Sequence, residues 1–249
     1  MSFAASISLL LLGLFLLPVL VSGCLPYGRD GVPWYEARRD STRLAPDPAT
    51  TPDAVLQVYA ARAVSWRGVF SVHTWIAVKP TGASRYTRYE VLGFGVANGA
   101  PAVRIDRMGP DNYWFGARPQ VILDRRGPDV DAMIEAVRAA VARYPYQHEY
   151  RAWPGPNSNT FTAYIARQVP ELGLDLPSNA VGKDFLPGGA LFAKAPSGSG
   201  FQVSVFGIAG ILVAAEEGLE LNVLGLNVGV DATVPALKLP AIGRLGLDR

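Results

Sequence analysis

The sequence predicts an α+β fold: an antiparallel sheet with two main helices, followed by an apolar C-terminal β-hairpin. Three observations predict it. Five short runs between 53 and 124 are rich in β-branched and aromatic residues and are parted by turn clusters such as Lys79-Pro80-Thr81-Gly82 and Asn98-Gly99-Ala100-Pro101. Two stretches between 129 and 170 carry apolar residues at helical spacing. Two strongly apolar segments, 201–214 and 219–230, flank Glu216-Glu217-Gly218.

Composition narrows the classes. The chain has 249 residues, 49% of them hydrophobic, which leaves room for one large folded domain. The net charge is +2 and the arginines are scattered, so no basic block or basic–aromatic ladder supports nucleic-acid binding. One cysteine, Cys24, excludes an internal disulfide framework and thiolate zinc sites. No metal site or cofactor is expected.

Residues 1–23 contain no charged side chain and are almost entirely apolar from Ile7 to Val21. They read as a signal peptide or membrane anchor. The ending Val21-Ser22-Gly23-Cys24 resembles the lipobox of bacterial lipoproteins, which implies lipidation at Cys24. An uncleaved anchor and a cleaved, secreted form are the alternatives. Each places the body outside the cytoplasm or at a membrane face, in the cell envelope. Residues 24–52 are rich in Pro, Arg, Asp and Gly without a period, so a tether is expected. Trp34 and Tyr35 there are suited to the lipid interface or to docking on the domain.

Residues 53–249 form the predicted domain. Strands are expected at 55–62, 69–79, 85–94, 102–107 and 120–124. Short connections favour antiparallel neighbours. In the second run Phe70, Val72, Ile76 and Val78 share one face, while Ser71, His73, Trp75 and Ala77 share the other. A histidine on that less apolar face is a candidate general base, or a half-exposed residue bonded to a neighbour. On the next strand Glu90 and Tyr89 are each able to orient it across the ladder. Glu90 is preferred because a carboxylate also stabilises imidazolium; paired with Arg88 or an arginine elsewhere it is simply a surface charge.

A helix capped by Asp129 is expected to run to about Arg143, with a stripe of Val130, Met133, Ile134, Val137 and Val141. Residues 144–153 read as extended, so His148 and Glu149 point to opposite faces and do not share a metal. Trp153 to Phe161 then reads Trp-Pro-Gly-Pro-Asn-Ser-Asn-Thr-Phe. Two prolines and a glycine force a turn, and Phe161, Tyr164, Ile165 and Val169 begin a second amphipathic helix ended by Pro170. Ser158 or Asn159 is expected at its N-cap. Three polar residues behind a rigid turn mark either a cap or a site.

Several stretches together, "VHTWIAVKP", "WPGPNSNTF" and "GKDF", resemble an uncharacterised bacterial domain-of-unknown-function family from about Val55 onward. The order of motifs is also similar to circularly permuted NlpC-type papain-like proteins, including lecithin:retinol acyltransferase relatives. Those place a catalytic His on a sheet strand and a nucleophilic Cys, within Asn-Cys-x-x-Phe, at a later helix N-terminus. The resemblance implies a permuted papain-like fold, with Ser158 at the cysteine position, His73 as base and Glu90 as its partner. Asn157, Asn159, Trp153 and Trp75 are the surrounding candidate binding residues. A serine hydroxyl must lose its proton to a placed base during attack, where a cysteine would ionise readily.

The serines near 197 lack the strand–elbow–helix context of Gly-x-Ser-x-Gly hydrolases. The segments 201–214 and 219–230 are read as two long strands buried on both faces, against the domain, a partner or lipid, with Glu216, Glu217 and Glu220 in a solvated turn. Two functions remain open, with a purely structural envelope protein as a third reading. One is a membrane-tethered hydrolase or acyltransferase acting on an amide or ester of a cell-wall peptide or lipid. The other is a non-catalytic binding or assembly module that retains a degenerate cleft.

Overall fold

The structure is a computed structural model that describes residues 3–25 and 32–247, without side chains for 3–11. Its architecture is α+β. Among the described residues two antiparallel sheets stand beside three α-helices.

The first sheet has the order β4-β3-β2-β1-β5, from β1 (Val55–Arg62), β2 (Val72–Lys79), β3 (Thr87–Val91), β4 (Val103–Ile105) and β5 (Gln120–Arg126). β1 to β4 follow the expected meander, but β5 returns across the sheet to pair with β1 instead of β4, and 65–69 forms a turn of 3-10 helix before β2. Both faces are covered. Leu56, Val58, Ile76 and Val78 pack against Ile134, Val137, Phe161 and Ile165 of α2 (Val130–Ala142) and α3 (Ser158–Gln168). Each such side chain, wholly buried, contributes about 1.5–3 kcal/mol. On the other face Tyr59, Trp75 and Trp114 form a second core with Leu44 and Ala45 packed on it.

Leu44 and Ala45 belong to the expected tether. Residues 26–31 of that tether lie outside the described residues. From Ser41 onward it is bound to the domain: the Asp111 carboxylate accepts from the Ser41 hydroxyl and from the N–H groups of Leu44 and Ala45. Trp34 stacks near Phe94, with ring centroids 6.1 Å apart. The N-terminal segment forms α1 (Phe3–Cys24), which contacts the domain and bonds it through Ser22 Oγ to the Val69 carbonyl at 2.6 Å. Cys24 is exposed. Among the described residues no helix is long and apolar enough to cross a membrane.

Two local expectations are corrected. Residues 144–153 form irregular turns, because prolines at 145, 154 and 156 deny the segment a regular ladder. The Asp129 side chain makes no capping bond, so α2 begins without a side-chain cap.

The C-terminal third departs most from expectation. In place of one long hairpin, 192–246 makes a seven-stranded meander. Its strands are β6 (Phe192–Lys194), β7 (Gly200–Val205), β8 (Ala209–Ala214), β9 (Gly218–Val223), β10 (Leu226–Asp231), β11 (Ala236–Leu239) and β12 (Gly243–Gly246). Each long apolar segment is split by an apolar turn. Between β9 and β10, Leu224 and Gly225 both take positive φ, 55° and 81°, the conformation of a tight two-residue hairpin turn.

Nor is it buried on both faces. Gln202, Ser204, Glu220, Asn222, Asn227 and Lys238 point inward and are buried, while Phe201, Val203, Ile211, Val213 and Leu219 point outward and are exposed. Glu217 and Glu220 are therefore buried groups, not a solvated turn. They are held by partners. Glu220 takes ion pairs from Lys183 and, at 2.9 Å, from Lys238, which also meets Asp175 at 2.6 Å. The Asp184 carboxylate accepts from Gln202, Asn222 and Asn227 at 2.5–2.8 Å. Burial of such groups is tolerable only because each finds partners.

Candidate functional site

The site is built where α3 meets β2. The helix begins one residue earlier than expected: Asn157, not Ser158 or Asn159, is the N-cap. Its Oδ1 accepts from the N–H groups of Asn159 and Thr160 at 2.9 and 3.1 Å, and the Thr160 hydroxyl accepts from the Asn157 N–H, which closes a capping box. The Asn157 amide also donates to the carbonyls of Ala152 and Val181. Gly182 lies so close that a Cβ there would fall 2.3 Å from Asn157 Nδ2. The peptide bonds before Pro154 and Pro156 in the preceding turn are both cis.

Asn159 stitches this helix end to the sheet. Its amide donates to the carbonyls of Val72 and Val181 at 3.0 and 2.8 Å, and its Oδ1 accepts from the Thr74 hydroxyl at 3.0 Å. Thr74 also reaches the Ser158 carbonyl and Thr162. Both asparagines thus spend their polar atoms on the fold. Ser158, between them, does not: its hydroxyl and its N–H make no hydrogen bond among the described residues.

Between the residues that Asn159 and Thr74 tie down stands His73. Carrying the pairing Ala77↔Arg88 two residues along sets Glu90 opposite Trp75, diagonal to His73 and within reach of a long side chain. His73 Nε2 lies 3.0 Å from Glu90 Oε2, and Arg88 Nη2 donates to the same oxygen at 2.6 Å. Glu90 is therefore a buried carboxylate shared by His73 and Arg88, not a surface charge. The imidazole is buried and stacks on Trp114, with centroids 3.8 Å apart and planes 11° apart.

The electrostatics follow from this burial. Desolvation lowers the His73 pKa below its ordinary value, and the bond to Glu90 offsets only part of that. Burial pushes Glu90 the other way, but its bond to His73 and the Arg88 charge together outweigh it and hold the carboxyl below its ordinary range. Neutral imidazole beside carboxylate fixes the tautomer: Nε2 carries the proton toward Glu90 and Nδ1 keeps its lone pair. No described residue bonds Nδ1.

His73, Asn157, Ser158, Asn159 and Trp153 line one cavity of about 400 Å³. Its other walls are mainly apolar, from Trp66, Phe70, Val91, Leu92, Phe94, Trp114 and Tyr150, with Leu224 and Leu226 from the C-terminal sheet. Trp153 is half exposed at its edge and donates to the Leu224 carbonyl at 3.0 Å. Trp75 is not part of it. That ring is wholly buried behind His73, stacked on Tyr59 at 5.4 Å and covered by the Arg88 guanidinium at 4.0 Å. His148 and Glu149 are exposed and line no part of the cavity.

A second cavity shares Leu92, Phe94 and Trp114 with the first and adds Arg39, Arg104 and Arg107. Among the described residues none of these arginines has a carboxylate within ion-pair distance. Sequence reading missed these arginines and the aromatic walls, because they come from separate loops and, for Arg104, a strand, with no shared spacing.

No curated protein and no solved structure matches the chain. A family model described as a protein of unknown function (DUF3750) matches residues 53–185. That match takes in His73, Glu90, Ser158 and the Gly182-Lys183-Asp184-Phe185 stretch that braces the cap. It covers more than half of the chain, which therefore belongs to the DUF3750 family of proteins of unknown function.

Proposed function

We propose that the cavity is the active site of a hydrolase or acyltransferase acting on an ester or amide, with Ser158 as nucleophile, His73 as base and Glu90 as its partner. One observation carries the reading: an unbonded serine hydroxyl at a helix N-terminus and an unbonded, neutral imidazole nitrogen backed by a carboxylate line the same cavity. The order of histidine strand, a polar residue after it and a later nucleophile helix also resembles that of the permuted papain-like proteins.

In the proposed step Ser158 Oγ attacks the carbonyl carbon while His73 Nδ1 takes its proton. The imidazolium so formed is stabilised by Glu90 through Nε2–H. The carbonyl π pair moves to oxygen, where the unbonded Ser158 N–H and the positive end of α3 meet it. Collapse expels the alcohol or amine, which takes the proton from His73, and leaves an acyl-serine. Water or an acceptor alcohol then repeats the sequence in reverse. The Asn159 N–H is not an oxyanion donor in this scheme, because the Asn157 cap occupies it.

Apolar walls beside an arginine-lined neighbour suit a substrate with an acyl chain and an anionic end, such as a lipid, better than a polar cell-wall peptide. An envelope location, held by lipid on Cys24 or by α1 as an uncleaved anchor, would put such a substrate in reach.

A fluorophosphonate probe tests the chemistry. Labelling of the wild type that disappears in Ser158→Ala, with the fold retained by circular dichroism, is the expected result. Equal labelling of both proteins would remove Ser158 from the mechanism. A second reading, a binding module with a retired cleft, is favoured by the sharing of Glu90 with Arg88 and by the single unbonded N–H at the helix end. It predicts ligand binding in the cavity and no labelling of either protein.

A further inference from the structure

The C-terminal sheet carries polar side chains inside and apolar ones outside, and the outer face is continuous. Cross-strand pairing sets Val203 opposite Ile211, Ile211 opposite Leu221 and Leu221 opposite Val228, so one apolar row crosses four strands. Phe201, Val213, Leu219 and Val230 make a second row by the same register. Seven strands of up to six residues give a face on the order of 500 Å² at ordinary strand spacing. That is toward the top of the range for the largest apolar patch on a soluble monomer. No acidic side chain is exposed on it, and Lys194 lies at its edge near the stacked pair Phe192 and Phe201.

We infer that this face lies on a lipid surface, with the apolar side chains in the acyl region and the strands parallel to the membrane plane. Three placements favour lipid over a second copy of the chain. First, α1 contacts β10, β11 and the 65–69 turn, and its own Leu12, Leu16, Leu17 and Leu20 are exposed. A second sheet packed on the first would leave those leucines in water, whereas one lipid surface takes both. Second, Leu224, at the β9–β10 turn, is exposed and also lines the cavity, so the apolar face runs on into the cavity wall. Third, an uncharged face with a lysine and phenylalanines at its margin fits acyl chains bordered by anionic headgroups. The backbone polar groups of the sheet interior are already paired within the ladder, so lying on lipid leaves them no worse off. The inference holds whether or not Ser158 is a nucleophile.

The test measures depth rather than attachment, because α1 alone can hold the full chain on a vesicle. Full-length protein carrying Cys24→Ser, with Ile211→Cys, Leu221→Cys or Glu135→Cys, is labelled with an environment-sensitive fluorophore. It is then incorporated into phosphatidylethanolamine–phosphatidylglycerol vesicles with or without brominated acyl chains. Labels at 211 and 221 are expected to lose more than half their emission to the brominated lipid and to resist aqueous iodide, while the label at 135, on the exposed side of α2, does the reverse. Iodide quenching at 211 and 221 without bromine quenching overturns the inference. So does protection from both quenchers together with a 221–221 cross-link, which would assign the face to a second copy. Positions 211 and 221 are on different strands and already exposed, so either label decides the question if the other disturbs folding.

Discussion

At Ser158 and His73 a small difference in hydrogen bonding separates a structural turn from a site. Asn157 and Asn159 flank Ser158 and are the better-bonded residues: each of their side chains makes several bonds to backbone, and Ser158 Oγ makes none. The sequence showed three polar residues in a row but could not rank them, because ranking depends on which carbonyls Val72 and Val181 present. His73 and Glu90 were readable as a pair on adjacent strands. Their burial was not, since Trp114 and the segment 44–45 that cover that face come from distant parts of the chain. That burial has a pH consequence. His73 titrates below its ordinary value of 6.5, so Nδ1 stays available through neutrality and the proposed labelling of Ser158 is level above pH 6.5, falling only at more acidic pH. The unfolded chain takes up this proton first, so stability also falls as pH drops below 6.5. Glu90, held low, adds its own loss as pH falls below its ordinary 4.5 through its folded pKa. A rate-versus-pH series beside a melting-temperature series checks both, and an acid limb in the rate centred above pH 7 would contradict the assignment of His73.

For the elements, the important junction is the N-terminus of α3. The cap, the 182–185 stretch and β2 are bound to one another through Asn157, Asn159 and Thr160, so the helix end has little freedom. Replacing Asn157 by Ala removes a capping box and leaves the buried N–H groups of Asn159 and Thr160 without their acceptor, and is expected to cost about 2 kcal/mol or more in urea unfolding. A change below about 0.5 kcal/mol would mean that the cap does not hold the helix end. Elements with regular periodicity were legible: β1 falls on the expected residues, and α2 and α3 follow their apolar stripes. The C-terminal meander was not. Its turns use Phe206-Gly207 and Leu224-Gly225, where an apolar residue adopts positive φ, so hydropathy runs unbroken through the reversals. The inward polar residues alternate with outward apolar ones, and alternation alone does not say which set faces the core.

Over the whole molecule, a buried ion network joins the C-terminal sheet to the stretch that braces the cap of α3. Lys183 follows Gly182, which abuts the cap, and pairs with Glu220; Lys238 links Glu220 to Asp175. Replacing Glu220 by Gln leaves two buried ammonium groups short of a partner and is expected to destabilise by about 3–5 kcal/mol. Denaturant unfolding of Glu220→Gln checks this, and a loss under about 1 kcal/mol would show the network to be solvated in solution. The same network explains how an apolar sheet face can be turned outward: the sheet is fastened by charge behind and leaves its hydrophobic surface for another medium.

The central claim is that Ser158 is the nucleophile and His73 its base. Peptide mass spectrometry after fluorophosphonate treatment tests it most directly. The account predicts one adduct, on the peptide containing Ser158, formed at least about a hundredfold more slowly in His73→Gln. An adduct on any other serine, or a Ser158 adduct whose rate is unchanged in His73→Gln, would contradict it.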